Sequence, residues 1–274
     1  MTSMPASASG RPVPRFTIGS SLKMYFGHRR QVEWTRRVAE IAADHPAVRD
    51  GLVQPFVIPT FPSIAAVHQQ ADPAGMLVGA QDVHWEDSGA YTGEVSAPEL
   101  AELGVALVEI GHAERRALFG ETDSTAALKV AASLRHGLVP VLCIGEQDRG
   151  TPAAAAEECL RQLEACLAAA RRQETGGALV VAYEPVWAIG QPVPAPDAHI
   201  RAVTSALRAH LLDDGLVPDA RVIYGGSAGP GLLTRIASDV DGMFLGRFAH
   251  DPAAFGAILD EASDIGGGSD SRTS

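Results

Sequence analysis

Lysine is nearly missing: of 22 basic residues only Lys23 and Lys129 are lysines, and the other 20 are arginines. A lysine is therefore more informative here than in an average chain. Cysteine is scarce as well. Cys143, Cys159 and Cys166 are odd in number and follow no CxxC or zinc-ligand spacing, which argues against a disulfide framework and suits a reducing compartment. The nine histidines form neither HExxH nor HxH, so no metal site is expected. No run of about 18 uninterrupted apolar residues exists to span a bilayer, and the opening MTSMPASASGRPVPR lacks the apolar segment of a secretory signal. A soluble, cytoplasmic protein is expected, with no membrane partner. Positive charge is in deficit, 22 basic against 33 acidic residues for a net charge of -11. That balance speaks against nucleic acid or an anionic membrane as the main partner. An anionic substrate would need a local positive pocket.

What the chain does have is bulk and rhythm. With 274 residues, 46% of them hydrophobic, it can bury roughly three quarters of its unfolded surface around one core, which excludes disorder as its dominant state. The ends read as tails: residues 1–14 are Ser/Pro/Ala-rich and 266–274 (GGGSDSRTS) form a flexible polar run. Between them, over 15–265, a short apolar run followed by a helical pattern recurs eight times. The runs are FTIGS (16–20), PFVIPT (55–60), MLVGAQDV (76–83), ALVEIGH (106–112), VPVLCIG (139–145), ALVVAYE (178–184), RVIYGG (221–226) and GMFLGR (242–247). Continuous apolarity marks strands buried on both faces, as in parallel sheets. Segments 31–43, 125–136, 152–173 and 198–214 carry apolar residues at helical spacing. An open doubly wound sheet shares the alternation, but no GxGxxG follows the first run, and eight units suit closure. The pattern predicts a single α/β domain, a (β/α)8 barrel, with chemistry at the carboxyl ends of its strands.

Those ends deliver Ser21-Leu22-Lys23, Gln81-Asp82, His112-Ala113-Glu114, Glu184, Gly225-Gly226-Ser227 and Gly246-Arg247. A cation, an imidazole, a carboxylate and two glycine-bearing turns are what enolisation of a phosphorylated hydroxy-ketone needs. The carboxylate removes a carbon-bound proton, a neutral donor and a cation stabilise the oxyanion, and backbone N–H groups hold the phosphate.

Seven strings, EPVWAIG (184–190), IGHAERR (110–116), LFGETD (118–123), GAQD (79–82), GAYTGE (89–94), CIGE (143–146) and YGGS (224–227), occur in order across residues 16 to 260 and resemble the triosephosphate isomerase family. The resemblance implies a TIM barrel and interconversion of dihydroxyacetone phosphate and glyceraldehyde 3-phosphate, a glycolytic reaction, through an enediolate. It implies Glu184 as the base, His112 as a neutral electrophile, Lys23 as the positive charge, and Glu114 as the supporting partner of Lys23. Gly190, Gly225, Gly226, Ser227 and Gly246 resemble the phosphate cradle. Residues 185–195 resemble the lid that closes over substrate, with Trp187 as packing anchor and Ile189 as apolar cover. GAYTGE at 89–94 resembles the loop that enters a partner subunit, so a homodimer is implied. No cofactor is implied, and Cys143 reads as a core residue.

Four departures surround the implied pocket. The usual Asn-Trp-Lys-Met is Ser21-Leu22-Lys23-Met24, a usual Ser is Ala113, a usual Gly-Gly is Gly246-Arg247, and the lid's second hinge is Gln191-Pro192-Val193-Pro194-Ala195. Ser21 and Ala113 remove volume beside the reacting carbons, enough to suggest an alternative substrate with one more hydroxymethyl group, such as L-erythrulose 1-phosphate. Arg247 adds a guanidinium that could assist phosphate, and the two prolines restrict the hinge. A barrel that binds phosphate without catalysis is the alternative of a different class; survival of Lys23, His112 and Glu184 speaks against it.

Overall fold

The computed structural model describes residues 13–270. Eight strands, β1 (Phe16–Ser21), β2 (Val53–Ile58), β3 (Leu77–Ala80), β4 (Leu107–Ile110), β5 (Val139–Ile144), β6 (Leu179–Tyr183), β7 (Ala220–Tyr224) and β8 (Gly242–Leu245), each lie on one of the eight predicted runs. Every strand pairs in parallel with the next, and β8 closes on β1 through Thr17↔Gly242 to Ser20↔Leu245. The fold is a closed TIM barrel.

Two apolar cores explain why the runs are continuous rather than alternating. Phe56, Ile58, Leu107, Val141, Cys143, Val180, Ala182, Ile223 and Phe244 fill the barrel interior. Their chain neighbours, among them Val57, Val108, Ile110, Leu142, Val181 and Val222, face the surrounding helices. Both faces of each strand are thereby buried. The helices follow the same logic. Helix Pro152–Gln173 starts on Thr151, whose side chain accepts from Ala154 N, places proline in its first turn, and ends with Arg171 and Arg172. It buries Ala155, Cys159, Leu163, Cys166, Leu167 and Ala170, one face of a helix.

Two boundaries differ from the sequence reading. The helix expected over 198–214 is Asp197–Leu211, because Asp214 bends back to accept from Leu216 N and to meet Arg171 at 2.6 Å. The last helix, Pro252–Asp270, runs into the expected tail and carries the glycine run with it. Glycine weakens a helix by about 1 kcal/mol per residue, but this one is held by buried Phe255, Ile258, Leu259 and Ala262. At Gly266 it lies so near Leu52 that a Cβ would sit 2.6 Å from a leucine methyl. Residues 1–12 and 271–274, the rest of the two expected tails, lie outside the described residues. Among the described residues no helix is long and apolar enough to cross a membrane.

Candidate active site

A cleft of about 460 Å³ opens at the carboxyl ends of the strands. Ser21, Lys23, His112, Glu114, Glu184, Gly190, Gly225, Ser227, Gly246 and Arg247 all line it. Ala113, expected beside the reacting carbons, is not on this wall, nor are Gln81, Asp82 and Trp187, and of the predicted catalytic and cradle residues only Gly226 stands outside it. It lies against Tyr224 instead, where a Cβ would fall 2.5 Å from the phenol oxygen and where its carbonyl accepts that hydroxyl at 2.6 Å.

His112 ends β4 and caps helix Ala113–Phe119, its Nδ1 accepting from Glu114 N at 3.1 Å. A backbone N–H cannot rotate away, so Nδ1 is the acceptor and the ring proton sits on Nε2. Nε2 faces the cleft, 3.5 Å from Glu184 Oε2 and 3.1 Å from Lys23 Nζ. Burial first, and then the charge of Lys23, hold the imidazole down at about 4. The helix N-terminus acts in the same direction. At neutral pH His112 is an uncharged N–H donor.

The turn behind His112 is fixed from below. Glu121 accepts from Gly111 N at 2.9 Å and from Arg115 at 2.9 Å, while buried Lys129 lies 2.6 Å from Asp82 and 3.3 Å from Glu121. Both lysines of the chain are thus committed to this corner of the barrel.

Lys23 follows β1 with φ 47, a conformation that costs a non-glycine residue of order 1–3 kcal/mol and persists only where surroundings impose it. Its Nζ donates to Glu114 Oε1 at 2.9 Å. Burial alone would pull the ammonium down, but that hydrogen bond and the charges of Glu184, Glu114 and Glu109 carry it above its ordinary value. Ser227, across the cleft, also adopts positive φ, at 54.

Glu184 follows β6 and is almost wholly buried, and its Oε2 has no hydrogen-bond partner among the described residues. Burial pushes its carboxyl up to about 8, with Lys23 opposing and Glu109 reinforcing the rise. Gly225 makes room for it, since a Cβ there would fall 2.5 Å from Glu184 Oε1. A base poised in this range, aimed into a cleft and facing a neutral imidazole donor, suits proton transfer next to a carbonyl.

The segment after Glu184 is held at both ends. Trp187 Nε1 donates to Glu146 at 2.8 Å, Ser227 Oγ donates to Ala188 O at 2.8 Å, and Ala195 N donates to the Tyr224 hydroxyl at 3.1 Å. Ile189, Gly190, Gln191, Pro192 and Pro194 face the cleft between these points. Gly190 takes φ 72, and a Cβ there would lie 3.6 Å from the Arg247 guanidinium, so Arg247 reaches toward this segment. Cys143 is buried, and burial together with Glu184 and Glu109 pushes its thiol up, as a core residue requires.

Three participants escaped the sequence reading. Tyr224 and Glu146 were visible only as letters inside YGGS and CIGE. Glu109 had a readable signal, a lone acid inside the apolar run Leu107-Val108-Glu109-Ile110. Among the described residues no group of three or more His, Cys, Asp or Glu side chains is arranged to hold a metal ion.

The triosephosphate isomerase family model matches residues 16–262. The chain belongs to the triosephosphate isomerase family. It is a sugar-phosphate isomerase of that family. A relative from Pectobacterium atrosepticum named L-erythrulose-1-phosphate isomerase is 54% identical over 248 residues, covering 90% of this chain and 96% of the relative. Proteins of the same name from Rhizobium etli, 40% identical over 252 residues (90% and 92% of the two chains), and Brucella abortus, 39% identical over 254 residues (89% and 95%), are similar over the same extent. Within this triosephosphate isomerase family barrel, the cleft residues come from the ends of β1 and β8 and from the segments that follow β1, β4, β6, β7 and β8.

Proposed function

We propose that this isomerase acts on L-erythrulose 1-phosphate, moving its carbonyl from C2 to C3, and that triose phosphate, the first substrate the sequence suggests, is the poorer one. The glycolytic role tied to the triose reading goes with it. The name shared by relatives at 36–54% identity carries this reading, and the small Ser21 side chain on the cleft wall supports it.

The chemistry is one carbon-bound proton moved by Glu184 and one hydroxyl proton moved between the two oxygens. Glu184 takes the proton from C3, the C3–H electron pair forms the C2–C3 double bond, and the C2 oxygen becomes an enediolate oxyanion. His112 Nε2–H and the Lys23 ammonium stabilise that charge. The His112 Nε2–H proton passes to the C2 oxygen and the ring takes the C3 hydroxyl proton in its place, which moves the negative charge to the C3 oxygen. Glu184 then returns its proton to C2 and the C3 oxygen becomes the carbonyl, leaving Glu184 ionised and His112 neutral as at the start. Backbone N–H groups at Gly190, Ser227 and Gly246 hold the phosphate, with Arg247 adding positive charge, and the segment 185–195 excludes water. Glu114 supports Lys23.

The test is kcat/KM for L-erythrulose 1-phosphate and dihydroxyacetone phosphate, side by side with the same preparation. A four-carbon value at least tenfold higher is expected. A triose value equal or higher overturns the reading in favour of triosephosphate isomerase activity, and no turnover of either favours a binding barrel.

We also propose a homodimer in the cytoplasm, formed through residues 89–94. This loop is exposed along its whole length, Tyr91 included at 44%, and Met24 and Tyr25, directly after Lys23 in the chain, are exposed as well. Shortening Gly89–Glu94 is expected to convert the sedimenting species from dimer to monomer; an unchanged dimer would place the interface elsewhere.

A further inference from the structure

The barrel interior holds one carboxyl that the reaction above leaves unused. On β4 the side chains alternate, Val108 and Ile110 outward and Leu107 inward, which turns Glu109 into the barrel. It is 2% exposed. It sits in register with Val141 on β5 and close enough to act on the Cys143 thiol, both members of the apolar barrel interior, a setting in which an aliphatic side chain would cost nothing and a carboxyl carries a desolvation penalty. Packing alone does not account for it.

One contact does. Ser21 Oγ donates to Glu109 Oε2 at 2.7 Å, a buried bond that crosses the barrel from β1 to β4 beneath the cleft. Burial pushes the Glu109 carboxyl up to about 7, while Ser21 and Lys23 oppose the rise and Glu114 and Asp82 add to it. In this bond the serine hydroxyl is the donor and the Glu109 carboxyl oxygen the acceptor. Ser21 has one proton and has committed it downward. The serine oxygen lines the cleft with lone pairs only, so it can accept a hydroxyl and cannot donate to a carbonyl or an oxyanion.

The four-carbon substrate differs from the three-carbon one by a hydroxymethyl group on the carbon that loses its proton, at the end away from the phosphate. With the phosphate on the backbone at Gly190, Ser227 and Gly246, as proposed above, Ser21, Lys23 and His112 on the same cleft wall are left to the other end. We propose that Glu109 is a positioning residue that sets substrate choice, holding Ser21 as a fixed acceptor for the hydroxyl of that extra hydroxymethyl group. The assignment rests on the tetrulose phosphate reading. A site built to hydrogen-bond a hydroxyl discriminates well against an analogue lacking it, because the unmatched polar group stays buried.

The experiment measures kcat and KM on both sugar phosphates for the unsubstituted enzyme, Glu109→Leu, Glu109→Gln, Ser21→Ala and the Glu109→Leu/Ser21→Ala pair, with thermal melts to establish folding. In Glu109→Leu the four-carbon to three-carbon ratio of kcat/KM is expected to fall at least tenfold, chiefly through KM for the four-carbon substrate. Glu109→Gln, whose amide oxygen still accepts from Ser21, should lie between. Ser21→Ala should match Glu109→Leu, and the pair should fall no further. Should Glu109→Leu fail to fold, Glu109→Gln and Ser21→Ala carry the same comparison. Equal losses on both substrates, or independent addition of the two substitutions, overturn the assignment while leaving the substrate reading intact. No turnover of L-erythrulose 1-phosphate by the unsubstituted enzyme overturns both.

Discussion

Glu184→Gln is expected to lose about 10²- to 10⁴-fold in kcat on the preferred sugar phosphate, about 2.7 to 5.5 kcal/mol of barrier, without losing stability. The amide keeps the shape of the side chain and cannot take the carbon-bound proton. Glu184 Oε2 has no hydrogen-bond partner to forfeit among the described residues, so the folded state gives up little. The carboxyl's folded value of about 8 lies above its ordinary 4.5, so between these values the folded chain holds more protons than the unfolded one. Stability contributed by this group is present at low pH and drains away as pH rises toward 8. Glutamine does not ionise, and the variant should therefore gain melting temperature relative to the parent as pH increases across that window. The parent's activity runs the opposite way, with kcat/KM rising about tenfold per pH unit until Glu184 ionises near 8. His112, held at about 4, adds no transition above pH 6, whereas Glu109, pushed up to about 7, titrates inside the window and steepens the rise for the four-carbon substrate below pH 7. Steady-state kinetics from pH 6 to 9, with melts in the same buffers, checks all of this. An active Glu184→Gln enzyme would remove Glu184 from the reaction.

Lys23→Arg is expected to cost at least 10²-fold in kcat/KM, although both side chains are cationic. Lys23 places a compact ammonium 3.1 Å from His112 Nε2 and 2.9 Å from Glu114, from a backbone at φ 47 that fixes its root. A planar guanidinium is longer and donates in a fixed fork, so it cannot occupy the same point between imidazole and carboxylate. Lys23→Met should cost more, about 10³-fold or beyond, because it also removes the positive charge that holds the Glu184 carboxyl below what burial alone would impose. Its pH–rate profile should move to higher pH than the parent's, a shift that Lys23→Arg should show less. Binding of a phosphate-bearing enediolate analogue should weaken with kcat/KM in both variants. Full activity in Lys23→Arg would reduce the role of this residue to charge alone.

Much of this was legible in the chain itself. Eight apolar runs of strand length became eight strands because residues buried on both faces of a parallel sheet need no alternation. Lys23, His112 and Glu184 were identifiable because strand ends must open onto one rim once the barrel closes. A chain that prefers arginine at 20 of 22 basic positions yet keeps lysine at 23 already marked that position. The four departures around the pocket were also visible as letters, Ser21 among them.

Tertiary structure alone decided what those letters do. The sequence pairs nothing across 88 positions, and only closure brings Ser21 on β1 to Glu109 on β4. The state of each ionisable group follows the same rule. Glutamates 184, 109 and 114 are chemically alike, but the first two are raised by burial in the barrel while the third stays half-exposed beside Lys23, and burial is a property of the assembled fold. Gly266 reads locally as a helix breaker and is instead a place where the helix packs so near Leu52 that a Cβ has no room. Local pattern determined the strands, their order and the rim on which the chemistry gathers. Distance, dielectric and packing, which exist only after the chain has closed on itself, determined which carboxyl is a base and which holds a serine in place.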